Sequence, residues 1–355
     1  MSKPIIQWSK GRGALGNPNN RFETTSRDAI DDGWGNLEQA PEPIQTTLTL
    51  DTAKTVISYN QSPDVPFDRS INPYRGCEHG CIYCFARPSH AWLGLSPGLD
   101  FESRLFYKVN AAELLRKEIN KRNYRCQPIA VGINTDVYQP VERKLGITRQ
   151  ILEVLAEHRH PFSIVTKSAL IERDIDILST MARDNLVQIA VSITSLDHDL
   201  ARKIEPRASS PRRRLETVKR LSDAGIPVMV LAAPLIPVLT DSELESILSA
   251  ARSAGACSAA YVLLRLPHEV AELFTTWLGT HFPLKAEHVM NRIRDCRGGK
   301  DYDATFGKRM TGEGLFANLM QKRYRLAMKQ LEFPGENELD TSLFKQVGAR
   351  QLALF

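Results

Sequence analysis

The chain has 355 residues, of which 42% are hydrophobic and 25% charged, and its formal net charge is +5. These values are typical of a soluble globular protein that forms one large domain or two ordinary ones. The charge permits a polyanionic partner without requiring one. The sequence contains no run of about 18 apolar residues, and Met1 to Arg12 lacks the apolar core of a secretory signal. It therefore predicts a cytoplasmic protein with no membrane association.

Residues 1–70 are predicted to form an irregular N-terminal segment that wraps over the rest of the chain. The stretch from Gly11 to Gly35 is rich in Gly, Asn, Arg and Asp and has little periodicity. Such composition is typical of a surface segment or of partial disorder. Residues 46–60 alternate apolar and polar side chains, which predicts a strand or a hairpin.

Residues 71–265 alternate short apolar runs with helical patterns. The predicted strands are 128–134, 161–166, 187–194, 227–234 and 259–264. Because these runs are apolar on both faces, they suit parallel strands covered by helices. With a short strand before Cys77, the pattern gives about six strand–helix units. It predicts an α/β fold, a partial (β/α)6 TIM-like barrel, with its active site at the C-terminal ends of the strands.

Two of the intervening helices carry clear start signals. Pro211 suits the first turn of a helix that ends at Gly225. Thr240 and Glu243 are spaced as a capping box at the start of another helix.

Residues 266–355 are predicted to be a mostly helical C-terminal extension, with helical patterns over 268–280, 284–296 and 313–331. The tail beyond 333 is polar with a short apolar end and favours no particular structure. Basic residues are concentrated in 203–220 and, together with aromatic residues, in 285–331. This combination suits either nucleic-acid binding or an ordinary solvated helix face.

Three of the six cysteines, Cys77, Cys81 and Cys84, lie in a Cys-x3-Cys-x2-Cys motif. In a reducing compartment such a cluster indicates metal or redox chemistry rather than disulfides. Three thiolates on a short loop can hold a [4Fe–4S] cluster, which ordinarily takes four cysteines. The alternative is structural zinc with His79 as the fourth ligand, but His79 sits inside the loop.

The motif, with Tyr83 directly before the third cysteine, resembles that of the radical S-adenosylmethionine superfamily. Residues 72–87 (NPYRGCEHGCIYCFAR) and 205–228 (EPRASSPRRRLETVKRLSDAGIPV) are similar to the branch that contains spore photoproduct lyase and the DNA repair photolyases. The resemblance implies a [4Fe–4S] cluster and S-adenosylmethionine as cofactors. It also implies a reductive electron donor of the flavodoxin or ferredoxin type, and an enzyme of the lyase or transferase kind that makes a 5′-deoxyadenosyl radical.

The resemblance also implies contacts to S-adenosylmethionine from residues near the cluster and at the strand ends. Tyr83 would contact the adenine, unless it only packs the loop. Asn134, Thr135 and Asp136 would bind the amino and carboxylate groups, although Asp136 also suits a helix cap or an Asx-turn. Lys167 would approach the methionine carboxylate, or else lie exposed at a loop tip.

Four further residues complete the predicted cofactor site. Ser192 and Thr194 lie on one face of a predicted strand, where their hydroxyl groups would bond the ribose or the methionine, or simply fill the core. Glu205 would bond a ribose hydroxyl or pair with Arg207, although a surface ion pair is the ordinary alternative.

One departure from the branch concerns the reaction. In spore photoproduct lyase, a cysteine near the end of the strand matching 128–134 returns hydrogen to the product radical. This chain has Asn134 and Thr135 there. The resemblance and the basic C-terminal region make DNA or RNA one candidate substrate, and the missing cysteine makes a peptide, protein or small metabolite another. A non-enzymatic zinc module is the third hypothesis.

Overall fold

A computed structural model of the chain describes residues 11–23 and 44–347. The strands within these ranges are β1 (Thr47–Leu50), β2 (Ile57–Tyr59), β3 (Arg69–Ile71), β4 (Tyr74–Arg75), β5 (Arg104–Tyr107), β6 (Ile129–Val131), β7 (Phe162–Thr166), β8 (Val187–Ser192), β9 (Val228–Leu235) and β10 (Ser258–Leu263). The helices are α1 (Leu99–Ser103), α2 (Ala111–Ile119), α3 (Glu142–Leu145), α4 (Ile147–Glu157), α5 (Ile175–Arg183), α6 (His198–Ile204), α7 (Pro211–Asp223), α8 (Leu244–Ser253), α9 (Val270–His281), α10 (Pro283–Asp295) and α11 (Gly314–Leu331).

The main sheet is an open, parallel one. Its strand order is β10-β9-β8-β7-β6-β3-β2, and every neighbouring pair is parallel except β2 with β3. Six parallel strands in sequential order, connected through helices, form the predicted partial barrel. Within the described residues the two edge strands, β10 and β2, do not pair, so the barrel is not closed.

Two strands end at least two residues earlier than their apolar patterns predict. β6 ends at Val131 because Gly132 turns the backbone with a φ of 82°. A Cβ atom on Gly132 would lie 2.9 Å from a Val137 methyl carbon, so the turn needs glycine. β8 ends at Ser192, and Thr194 follows on a loop. Polar residues after both strands therefore occupy loops at the C-terminal edge of the sheet.

The N-terminal part of the chain contributes strands to two sheets. The prediction of a strand or a hairpin over 46–60 is confirmed for strands, β1 and β2, but not for a hairpin, because β1 pairs with β5 and β2 pairs with β3. β5 also pairs with β4, which makes a small three-stranded sheet beside the cysteine motif. The predicted wrap or disorder over 24–35 lies outside the described residues, and the domain boundaries at 70 and 265 stay predictions.

The start of α7 follows its predicted signals. Ser210 caps the helix by accepting a hydrogen bond from the backbone N–H of Arg213, and Pro211 occupies the first turn. Val218 and Leu221 face the core. Gly225, at a φ of 75°, follows the helix.

The predicted capping box before α8 is wrong. The Thr240 hydroxyl accepts a hydrogen bond from the backbone N–H of Ile236 at 2.8 Å. The Glu243 carboxylate accepts from the backbone N–H of Leu196 at 2.6 Å and from the Ser195 hydroxyl at 2.7 Å. Both side chains are therefore used by loops at the C-terminal edge of the sheet, and not by the helix.

The C-terminal extension contains the three predicted helices, α9, α10 and α11. In the part of the chain that the structure describes, no helix combines the length and apolar character needed to cross a bilayer. Residues beyond α11 cross the N-terminal ends of the barrel strands. Their backbone N–H groups donate to carbonyls that precede β10, β8 and β7: Gly335 to Cys257, Asp340 to Asn185 and Lys345 to His158.

Phe344 anchors this tail, because its ring lies 5.7 Å from the ring of Tyr124 and 5.2 Å from that of His160, centroid to centroid. We expect Phe344→Ala to lower the free energy of unfolding by about 1–3 kcal/mol in urea titrations, since it empties a half-buried aromatic site. Leu326→Ala is the control, because Leu326 is 61% exposed on α11 and should change stability by less than about 0.5 kcal/mol. Equal effects of the two substitutions would contradict the anchoring role.

Candidate functional site

The cysteine loop, residues 76–84, follows β4 at the C-terminal edge of the sheet. Gly76 and Gly80 both take positive φ angles, 80° and 68°. A Cβ atom on Gly76 would lie 2.8 Å from the carbonyl oxygen of Phe101, so the loop packs too closely there for any other residue. That same carbonyl accepts a hydrogen bond from the backbone N–H of Cys77 at 2.9 Å.

The three thiols lie close together in a buried position. Cys77 and Cys81 are buried and Cys84 is half-buried. Burial raises the pKa of Cys77 well above its ordinary value, and negative charge on Asp136, Cys81 and Cys84 acts in the same direction. Burial likewise raises the pKa of Cys81 to about 12. Three neighbouring thiolates would therefore need a bound positive charge to be stable here.

The donor set fits a [4Fe–4S] cluster better than it fits zinc. His79, the candidate fourth zinc ligand, has its Nδ1 atom 3.3 Å from a carboxylate oxygen of Asp136, although the two are not aligned for a hydrogen bond. Among the described residues, no three His, Cys, Asp or Glu side chains converge closely enough to enclose a single metal ion. The candidate ligands of a larger cluster are the three thiols of the loop, because His79 lies against Asp136 instead.

Asp136 joins the cysteine loop to the ends of β6 and β7. Its carboxylate accepts hydrogen bonds from the Thr166 hydroxyl at 2.8 Å and from the backbone N–H groups of Lys167 at 2.7 Å and Tyr138 at 2.9 Å. Burial alone would raise its pKa, but the nearby His79 and these donors lower the pKa of Asp136 to about 2. The Tyr138 contact is the Asx-turn anticipated from the sequence.

The two residues before Asp136 differ in accessibility. The Asn134 side chain is exposed, while its backbone N–H donates to the Asn72 side-chain oxygen at 2.9 Å. The Thr135 side chain is buried, and its hydroxyl donates to the Tyr74 carbonyl at 3.0 Å. Asn134 is thus the more available of the two for a ligand.

Glu205 is the centre of a buried network. Its carboxylate accepts hydrogen bonds from the Tyr83 hydroxyl, from the Arg214 guanidinium and, at 2.7 Å, from the Thr194 hydroxyl. Burial opposes ionisation, but the positive charges of Arg214 and Lys167 lower the pKa of Glu205 below its ordinary value. The Lys167 ammonium nitrogen lies 6.0 Å from the centre of the Tyr83 ring.

The predicted pairing of Glu205 with Arg207 is wrong. Arg207 turns toward the cysteine loop, where its guanidinium lies 3.1 Å from the Glu78 carboxylate and its backbone N–H donates to the His79 carbonyl. Glu78 also accepts a hydrogen bond from the Thr46 hydroxyl at 2.6 Å. Glu205 pairs instead with an arginine of α7.

Arg214 is the site residue that the sequence interpretation missed. It donates to the Ser192 carbonyl at 2.9 Å and to the Ser209 carbonyl at 2.7 Å, besides its bond to Glu205. Its spacing along the helix could have indicated its burial, because Arg214 lies four and seven residues before Val218 and Leu221 on the buried face of α7.

The remaining cations of segment 203–220 are mostly paired. Arg213 and Arg220 contact Glu172, Arg212 contacts Glu216, and Lys219 contacts Asp223. This segment is therefore a set of ion-paired helix surfaces rather than an open basic patch.

Arg265 follows β10 and contacts no carboxylate among the described residues. The Arg265 guanidinium carbon lies 5.0 Å from the ring centre of Phe85, the residue after Cys84, and 40% of Phe85 is exposed. Its Nε atom is buried without a hydrogen-bond partner. Arg265 therefore presents positive charge beside the cysteine loop.

Comparison with known proteins identifies relatives of this chain. A family model described as the radical SAM superfamily matches residues 71–251. An uncharacterised protein of Mycobacterium tuberculosis (strain H37Rv) is 34% identical over 276 residues, which are 77% of this chain and 79% of the relative. An uncharacterised protein of Methanocaldococcus jannaschii is 30% identical over 173 residues, which are 49% of this chain and 62% of that protein.

Among solved structures, the chain is similar to spore photoproduct lyase complexed with dinucleoside spore photoproduct. The TM-score is 0.59 over 81% of this chain and 80% of the lyase, at 16% sequence identity. The resemblance stated from the sequence is thus confirmed at the level of the fold.

The Glu205–Arg214 pair should dominate the stability of this edge of the barrel. We expect Arg214→Met to cost about 3–5 kcal/mol in urea unfolding, because it leaves a buried carboxylate without its cation. Adding Glu205→Gln should recover part of that loss. Lys219→Met, which breaks an exposed pair on the same helix, should cost less than about 1 kcal/mol. An Arg214→Met cost as small as that of Lys219→Met would refute the assignment.

Proposed function

The chain belongs to the radical SAM superfamily, and on that premise we propose that it holds a [4Fe–4S] cluster on Cys77, Cys81 and Cys84 and cleaves S-adenosylmethionine to begin radical chemistry on a nucleic acid. One observation carries the proposal: two buried thiols and one half-buried thiol share a loop whose other candidate ligand, His79, faces Asp136. A four-iron cluster ordinarily has four protein ligands, so three leave one iron for a cofactor.

Cys77, Cys81 and Cys84 would hold the cluster, which when reduced would supply the electron for cleavage of S-adenosylmethionine to a 5′-deoxyadenosyl radical that would abstract hydrogen from the substrate. A cytoplasmic reductant of the flavodoxin or ferredoxin type would provide the electron. The chain itself must bind and orient S-adenosylmethionine and exclude water around it.

Lys167 is the proposed partner of the methionine carboxylate. Negative charge on Cys81 and Glu205 raises the pKa of Lys167, although its burial has the opposite effect. Its ammonium group therefore stays protonated at neutral pH. A half-buried cation beside the cysteine loop is well suited to a carboxylate ligand.

Tyr83 is the proposed contact for the adenine. Glu205 and Thr194 hold its hydroxyl group, which fixes the plane of the ring. Because Glu205 is occupied by these donors and by Arg214, we assign it mainly to orienting Tyr83. Thr194 and the nearby Ser192 would approach the ribose or the methionine.

The loop after β6 is the proposed site for the amino group. Asn134, which is exposed, would contact S-adenosylmethionine directly. Thr135 and Asp136 have partners within the protein and would hold the loop in position for it. Arg207, which contacts Glu78, would supply positive charge at the rim.

A nucleic-acid substrate is supported by two pairs of arginine and exposed aromatic side chains near the end of β10. Arg265 lies over Phe85, and the Arg309 guanidinium carbon lies 4.8 Å from the ring centre of Phe306, which is 56% exposed. A ring with an adjacent guanidinium suits an unstacked base and its phosphate.

The cluster assignment predicts that Cys81→Ala lowers both bound iron and the yield of 5′-deoxyadenosine by more than about 100-fold, because one of three ligands is lost. Iron, sulfide and 5′-deoxyadenosine would be measured after anaerobic reconstitution and dithionite reduction. Cys126→Ala is the control, since Cys126 precedes β6 at the opposite end of the sheet. A colourless wild-type protein that binds zinc and no iron would refute the proposal.

The substrate assignment predicts that the chain binds single-stranded oligonucleotides with an affinity that falls steeply with salt. Arg265→Gln should weaken binding to all sequences alike and reduce the slope of log affinity against log salt by about 0.7. Arg325→Gln removes an exposed charge of α11 and should leave the slope unchanged. If the wild-type protein binds no oligonucleotide even at low salt, the nucleic-acid assignment is wrong.

A peptide, protein or small metabolite is the second candidate substrate. It is favoured by Asn134 and Thr135 standing where the lyase branch has its hydrogen-returning cysteine. Failure of oligonucleotide binding together with normal cleavage of S-adenosylmethionine would support it.

A further inference from the structure

A fully buried ion pair lies directly beneath the cysteine loop. Arg87 follows Cys84 by three positions, and Glu102 lies on α1. The two side chains are 0% exposed, and their closest nitrogen–oxygen distance is 2.5 Å. Neither residue belongs to the cysteine motif or to the proposed contacts of S-adenosylmethionine.

Arg87 uses all five of its N–H groups. The acceptors are the carbonyls of Cys81 at 2.9 Å, Gly80 at 3.2 Å, Pro97 at 3.1 Å and Gly98 at 2.9 Å, and the carboxylate of Glu102. Two of these carbonyls belong to the cysteine loop, so the planar guanidinium fixes the path of the loop between its ligands. Lysine, with three donors and no planar fork, could not replace it.

Glu102 connects the same pair to the N-terminal segment. Its carboxylate accepts hydrogen bonds from the backbone N–H groups of Gly13 and Ala14, both at 2.9 Å. Arg12 donates to the Glu102 carbonyl at 2.7 Å. A Cβ atom on Gly13 would lie only 1.8 Å from the Gly80 carbonyl oxygen, so this segment lies directly against the cysteine loop.

We propose that Arg87 and Glu102, held by Gly13 and Ala14, are positioning residues that fix the cysteine loop and set the reduction potential of its cluster. The inference rests on the proposed function, since it presupposes the cluster. The pair is neutral overall, and it lies where water cannot screen it. Loss of the Glu102 charge alone would leave the Arg87 cation unbalanced beside the cluster, because arginine does not deprotonate in proteins.

The first test compares Glu102→Gln with the double variant Glu102→Gln/Arg87→Met by EPR-monitored redox titration of the anaerobically reconstituted full-length protein. The unbalanced cation favours the reduced cluster, so Glu102→Gln should shift the one-electron equilibrium toward reduction by about tenfold, or about 59 mV. The double variant should return close to the wild-type potential. Arg297→Met is the control, because Arg297 is equally buried and bonds only to carbonyls outside the cysteine loop.

The second test does not depend on removing a buried charge. Gly13→Ala should displace the N-terminal segment. Because the cysteine loop would then open more often, the release of cluster iron to a chelator should become about tenfold faster. Gly16→Ala is the matched control in the same segment, because a Cβ atom there meets no other atom within 4 Å. Its iron release should equal that of the wild type.

The results separate this inference from the proposed function. A wild-type protein without a cluster overturns both. A wild-type protein that holds its cluster, with an unchanged potential in Glu102→Gln and unchanged iron release in Gly13→Ala, overturns the positioning role alone.

Discussion

Buried carboxylates require cations or N–H donors, and this requirement ties the cysteine loop to the rest of the chain. Asp136 binds the ends of β6 and β7, and Glu205 binds Tyr83 to α7. Glu78 links the loop to Thr46 and Arg207, while Glu102 links it to the N-terminal segment. Each carboxylate holds the loop from a different direction, so its shape is determined by long-range contacts as much as by its own glycines.

Much of the fold followed from local patterns. The apolar runs and helical periods predicted the six parallel strands and the C-terminal helices, because these elements bury one side against a common core. The cysteine motif and the polar residues at the strand ends could also be recognised from the sequence. The partners of the buried charged side chains could not be predicted from the sequence. Arg214 was hidden in a basic run, and Glu102 meets a segment 88 or 89 residues away. The capping box failed because Thr240 and Glu243 serve neighbouring loops instead of the helix.

The segment before α11 bridges the open side of the sheet. The Met310 carbonyl accepts from the backbone N–H of Leu263, so the segment before α11 runs beside the end of β10. The same segment reaches the turn between β2 and β3, where Gly307 and Arg309 bond the Asp64 carboxylate. The two edges of the sheet are thus bridged by side chains rather than by strand pairing.

The tail that crosses the N-terminal ends of the strands has a consequence for biosynthesis. It meets β10, β8 and β7 in the reverse of their order along the chain, and the Gln346 side chain reaches the carbonyls of Ile119 and Lys121 at the end of α2. All barrel units leave the ribosome before these residues do. The nascent barrel therefore emerges with one end uncovered, and the final contacts join positions more than 200 residues apart. Contacts between such distant positions form late and slowly. A chaperone would therefore find the most exposed apolar surface on this chain between the end of translation and the docking of the tail.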